Sequence, residues 1–129
     1  MGEFTVSKAS LRVSKASLRV GSVVLVTFPF SNLQGQKVRP ALVLAKVEFE
    51  NLILCQITSK PYTSKISICI KPEDFSKGNL PVASFVRPDK LFTADSTIIK
   101  DTVGQLTSTT KNKILDSVSK LFTQHLTGD

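Results

Sequence analysis

Two short stretches place groups that could handle a phosphodiester. Arg39-Pro40 precedes the apolar run Ala41 to Leu44, and Gln56-Ile57-Thr58-Ser59-Lys60 closes another apolar run. Proline fixes its own φ and pushes the residue before it toward extended geometry. Arg39 is therefore expected at the joint between a loop and a buried strand, beside the polar loop that ends in Gln36 and Lys37. A guanidinium offers a planar fork of donors and a charge it does not lose, which suits a phosphate or a charged transition state. Strand alternation puts Gln56 and Thr58 on one face and Ile57 and Ser59 on the other. Two hydroxyls and an ammonium thus gather at a strand end. After Val20 the chain uses Lys for nearly all its positive charge. Its two arginines there, Arg39 and Arg87, both precede proline.

Other chemistries find little to work with. His125, the single histidine, falls near the end of the chain, so no Ser-His-carboxylate triad is expected. No cluster of His, Cys and carboxylates has metal-ligand spacing, and no glycine-rich phosphate loop is present. Cys55 and Cys69 each lie in an apolar run without CxxC spacing. They read as buried, reduced thiols of a cytoplasmic protein, with a bridge between them left open. No apolar run approaches the roughly 18 residues of a membrane span, and the N-terminus lacks the apolar segment of a signal peptide. Net charge is +7 over 129 residues. The first 21 residues carry +3 of it, leaving a mildly basic body compatible with a polyanionic partner.

The elements that must position these residues are short. Residues 1–19 read as a partly flexible tail: a vector-like Met-Gly-Glu-Phe, then Val-Ser-Lys-Ala-Ser-Leu-Arg twice in succession. Two copies of seven residues make neither a solenoid nor a coiled coil. Residues 20–126 form one domain. Strands are expected from Val23 to Phe30, with Pro29 bending the end, from Pro40 to Phe49, and from Leu52 to Thr58 after a turn at Glu50-Asn51. Further strands are expected over Ile66 to Ile70, Val82 to Val86 and Lys90 to Thr93, while Thr102 to Leu106 reads as either a last strand or the lead-in to the helix. Arg87-Pro88 is read as the break between two of them. Thr107 or Ser108 can cap a final helix, in which Ile114, Leu115, Val118, Leu121 and Phe122 share one apolar face. The sum is a mostly β domain with a C-terminal helix, built as a small, strongly bent antiparallel sheet or barrel.

In order along the chain, Gly21-Ser-Val-Val-Leu-Val, Val38-Arg-Pro-Ala-Leu-Val-Leu, Gln56-Ile-Thr-Ser, Val86-Arg-Pro-Asp-Lys-Leu-Phe-Thr-Ala-Asp95 and Gly104-Gln-Leu resemble the MazF/PemK toxins of bacterial toxin–antitoxin pairs. With the terminal helix they cover nearly all of residues 20–122. The resemblance implies an SH3-like barrel of the MazF/CcdB type, a homodimer, and a metal-independent endoribonuclease without cofactor that cuts single-stranded mRNA at short motifs. It also implies a cognate antitoxin of the MazE/PemI kind. The family's catalytic Arg falls on Arg39, its Thr on Thr58, with Ser59 adjacent. Some relatives carry a further Arg just before Thr-x-Asp, where this chain has Phe92 before Thr93-Ala94-Asp95. The resemblance gives Asp95 an orienting part.

The implied chemistry uses the RNA's own 2′-OH as nucleophile, giving a 2′,3′-cyclic phosphate and a 5′-OH. Arg39 would stabilise the charged phosphorane, and Thr58 and Ser59 would align the phosphate. Gln36, Lys37, Lys60, Arg87 and Lys90 would grip the strand, and Tyr62 would stack a base, ahead of Phe28 and Phe30. Two rival readings share the fold: a toxin that binds DNA gyrase through its terminal helix without nuclease activity, and a non-catalytic nucleic-acid-binding barrel.

Overall fold

The computed structural model describes residues 18–28, 37–60 and 65–124. Seven strands and one helix follow in order: β1 Ser22–Phe28, β2 Lys37–Lys46, β3 Asn51–Thr58, β4 Ile68–Ile70, β5 Phe75–Gly78, β6 Ser84–Asp95, β7 Ile99–Leu106 and α1 Ser108–Gln124. The strands form one antiparallel sheet in the order β4-β6-β3-β2-β1-β7-β5. Its curl gives the small barrel with a C-terminal helix expected from the sequence.

Both faces of the central strands are buried, which explains why they read as unbroken apolar runs. Val23, Leu42, Cys55, Ile57 and Ile114 belong to the core on the helix side. The alternate residues Val24, Val26, Ala41, Val43, Leu52 and Leu54 build a second core on the other face. Leu18 joins that second core at 2% exposure, so the folded body reaches into the segment read as tail. Lys46 Nζ donates to its carbonyl at 3.0 Å.

Several elements differ from expectation for local reasons. The β2–β3 hairpin turns over Glu48–Glu50 rather than at Glu50-Asn51, with Phe49 (φ 60°) and Glu50 (φ 62°) both left-handed. Asn51 opens β3 instead, and its side-chain amide donates to the Glu48 carbonyl at 3.2 Å. The expected break at Arg87-Pro88 is a bulge inside one 12-residue strand. Cys55 pairs with Leu91 and Gln56 with Arg87, which leaves Pro88, Asp89 and Lys90 out of the β3 ladder. A proline is tolerated there because no ladder bond is asked of it. β5, over Phe75–Gly78, pairs with β7 where the sequence suggested no strand.

The helix begins as read. Thr107 Oγ1 accepts from the Thr110 amide at 3.3 Å. Asp74 reinforces this end: it accepts from Thr110 Oγ1 at 2.8 Å and from the Lys71 amide at 2.8 Å. Those bonds hold its carboxyl below the ordinary carboxylate value, with the Lys71 amide the largest cause. Ile114 is fully buried, and Leu115 and Val118 pack on the same core. Phe122, assigned to the same face, is 63% exposed.

Candidate active site

Arg39 is the third residue of β2 rather than the last of a loop, and its side chain is exposed. The reason lies in how the sheet divides. β2 stays paired with β1 as far as Phe28↔Lys37, and β3 stays paired with β6 as far as Thr58↔Phe85. Between β2 and β3, however, the ladder stops at Ala41↔Gln56. Beyond that pair each strand follows its outer neighbour, and a cleft opens between them. Pro40, which has no amide proton to give, sits where the ladder ends. Arg39 and Thr58 each lie two residues past Ala41↔Gln56, one on each of the parting strands.

A cavity of about 280 Å³ occupies this cleft. Leu25, Pro40, Ile57 and Leu80 supply apolar wall, while Lys37, Arg39, Thr58, Ser59 and Lys60 supply charge and hydroxyls. No carboxylate lines it among the described residues, so the field inside is positive. Thr58 Oγ1 accepts from the Lys60 amide at 3.1 Å, a turn that ends the strand and leaves the hydroxyl proton to donate outward. Pro81, Val82 and Ser84 also line the cavity, and Ser84 Oγ donates to the Val82 carbonyl at 2.9 Å. The sequence reading took Val82 to Val86 as strand and missed this lip. The Leu80-Pro81 pair was the available signal for a turn there.

The remaining assigned residues divide by position. Arg87 is opposite Gln56, on the same sheet face as Thr58, but its guanidinium grips Asp89 (Nε–Oδ1 3.2 Å, Nη2–Oδ2 3.1 Å) and is 15% exposed. Lys90 is exposed on the bulge beside it. Asp95 is not brought to the cavity. It stands across from Asn51, at the far end of β3 from Thr58, and accepts from the Thr97 amide at 2.8 Å. Seven residues of strand separate the two ends, roughly 23 Å. Phe92, in the position of the extra family Arg, pairs with Leu54 and packs on the second core. Gln36, Tyr62, Phe30 and His125 lie outside the described residues, as does the Phe28 side chain.

The cysteines correct one reading. Both are free, and only Cys55 is buried; Cys69 is exposed. Burial pushes the Cys55 thiol up to about 12, with the Asp89 charge adding to it. Cys69 shares a face with Phe85 and Thr58, the opposite face from Cys55, so the strands hold the two thiols apart.

A curled antiparallel sheet with one C-terminal helix is the fold of a class of small bacterial toxins. Residues 19–122 match the family described as PemK-like, MazF-like toxin of type II toxin–antitoxin system, and the chain belongs to that family. No curated protein matches the chain by sequence. Among solved structures, a MazE–MazF crystal structure from Deinococcus radiodurans has 18% identity and TM-score 0.64, covering 80% of this chain and 94% of that one. An endoribonuclease from a mycobacterial species has 19% identity and TM-score 0.59, covering 78% and 86%. The Mycobacterium tuberculosis toxin MazF-mt6 has 16% identity and TM-score 0.60, covering 78% and 95%. At these identities the likeness is one of fold. Among the described residues no helix is long and apolar enough to cross a membrane.

Proposed function

We propose that this chain is a cytoplasmic, metal-independent endoribonuclease toxin that cleaves single-stranded RNA at the cleft between β2 and β3. The observation that carries the reading is that Arg39 and Thr58 line one cavity, with Lys37 and Lys60 and with no carboxylate among the described residues. In this reading the strand's phosphate lies between them. The Arg39 fork binds the non-bridging oxygens and strengthens its hold as negative charge builds on the phosphorane. Thr58 donates its hydroxyl proton to the phosphate, and Ser59 helps keep the 2′-OH in line with phosphorus. Lys37 and Lys60 hold neighbouring phosphates, with Arg87 and Lys90 further along β6. Among the described residues no histidine or carboxylate lines the cavity, so alignment and charge stabilisation carry most of the rate effect. The products are a 2′,3′-cyclic phosphate and a 5′-OH.

A homodimer and an antitoxin partner belong to the same proposal. The exposed Phe122 at the end of α1 supports an apolar contact with another chain. It is also the one observation favouring a partner-binding toxin without nuclease activity. Purified protein incubated with RNA separates the two. Cleavage that persists in chelator and stops with a 2′-deoxy sugar at the cut site supports the nuclease. Intact RNA under all conditions overturns it.

A further inference from the structure

A second cavity, of about 1040 Å³, lies between β7, β5 and the first turn of α1, and none of the residues assigned above to catalysis or RNA binding lines it. Three cations reach it from three separate elements: Arg19 from the segment before β1, Lys77 from β5 and Lys111 from α1. No carboxylate lines it among the described residues, and among those residues none of the three cations is in an ion pair.

Its floor is fixed in place. Gln105 Nε2 donates to the Val20 carbonyl at 3.1 Å, and Gln105 Oε1 accepts from Ser22 Oγ at 3.0 Å. Ser22 Oγ in turn accepts from the Arg19 amide at 3.0 Å, and Ser76 Oγ donates to the Gln105 carbonyl at 3.1 Å. Gly21, at φ +96°, lets the Lys111 stem lie against the backbone: a Cβ there would meet Gln105 Nε2 at 2.7 Å and Lys111 Cδ at 3.1 Å. The wall is therefore set before any ligand arrives, which lowers the ordering cost of binding.

We propose that this cavity holds backbone phosphates of the RNA strand at a distance from the cleavage cleft, as an exosite. The proposal rests on the nuclease reading above. Cations, hydroxyls and a pinned amide are what a sugar–phosphate backbone contacts. The cavity offers a protein partner no large apolar surface to anchor on: none of the large exposed apolar side chains, Phe49 and Phe122 foremost, lines it. A free phosphate is too small to engage cations spread around such a volume. Strands β2 and β1 stand between the cleft and this cavity in the sheet order, while Gly78 on one lining and Leu80 on the other bring their rims within two residues of chain. Only a strand of several nucleotides can occupy both.

The test is binding of the whole protein to non-cleavable 2′-O-methyl oligonucleotides, one long and one too short to reach both cavities, read by fluorescence anisotropy across salt concentrations. The double variant Lys77→Gln/Lys111→Gln keeps part of each stem and removes two charges. Lys100→Gln/Lys120→Gln, outside both cavities, removes the same charge. On the long strand, the slope of log Kd against log salt should fall by about 1.4 in the cavity variant, two contacts at about 0.7 each, and stay unchanged in the control. Inorganic phosphate should compete only in proportion to its ionic strength. Arg19→Gln gives a second route to the same readout, with a fall of about 0.7. An unchanged slope overturns the exosite. An equal loss in the control overturns it too, as does specific displacement by inorganic phosphate. The assay needs no cleavage. A protein that binds these strands but never cuts RNA removes the nuclease reading, while the slopes still decide the exosite.

Discussion

Arg39 carries the heaviest load in the proposed reaction, and removing it separates chemistry from folding. Arg39→Ala deletes an exposed side chain and leaves untouched the backbone features that hold the position, Pro40 and the pairing with Val26. Stability should therefore move by no more than about 0.5 kcal/mol. The effect on rate is larger. Loss of one preorganised donor to a developing oxyanion costs roughly 10²–10³, or about 2.7–4 kcal/mol. Arg39→Lys keeps the charge but not the fork. It should lose about one charged hydrogen bond, roughly 1.5–3 kcal/mol, which is on the order of 10- to 150-fold. Both losses should appear in kcat, because the fork tightens only as charge develops, with KM changing little. Single-turnover cleavage of an RNA oligonucleotide containing a mapped cut site gives the rates, and urea unfolding of the same samples gives the stability. A rate for Arg39→Ala within threefold of the original would refute the assignment. So would a loss confined to KM, which would make Arg39 a grip on the strand and nothing more.

Three other outcomes are expected. Asp74→Ala should lower stability by about 1 kcal/mol through its lost hydrogen bonds to Lys71 and Thr110. Because the folded state holds this carboxyl below its ordinary 3.8, its contribution is full above that pH and drains away as pH falls through the lowered value; urea midpoints for both proteins should converge at acid pH. Replacing Phe49-Glu50 by Asn-Gly should raise the thermal midpoint. It relieves two left-handed non-glycine residues at about 1 kcal/mol or more each, and Phe49, 85% exposed, gives up little packing. A thiol reagent near pH 8 should modify Cys69 in the native protein and reach Cys55 only after unfolding, as counted by mass spectrometry.

How much could be read from residues alone depended on whether a signal was local. The runs in β1, β2 and β3 were plain because burial on both faces leaves no polar interruption. The helix start was legible to within one residue, Thr107 or Ser108, because capping is decided within one turn. Arg87-Pro88 misled because a bulge and a strand end present the same dipeptide, and only the partner strand distinguishes them. Cys69 was misjudged although its alternation with Ile68 and Ile70 already turned it outward. Phe122 keeps the helical period, but no sequence states where the sheet beneath the helix stops. The cleft depends on strand pairing, set by the Glu48–Glu50 turn and a shift that leaves Leu44 out of the β2–β3 frame. Spacing along the chain could not supply that, and the closeness of Arg39 to Thr58 was foreseen only through family resemblance.

Burial on both sides of the central strands has a consequence for how the chain finds its alignment. In a sheet with one wet face, sliding a strand by one position exposes its whole apolar set, and that penalty keeps strands in step. Here a slip of β2 against β3 would merely trade one row of Val and Leu for another. The penalty falls instead on the polar residues at the mouth of the cleft: a slipped Gln56 or Arg39 would be driven toward the oily row that holds Leu42 and Ile57. Gln56 and Arg39 thus also act as the key that lets the two halves of the sheet close in only one way.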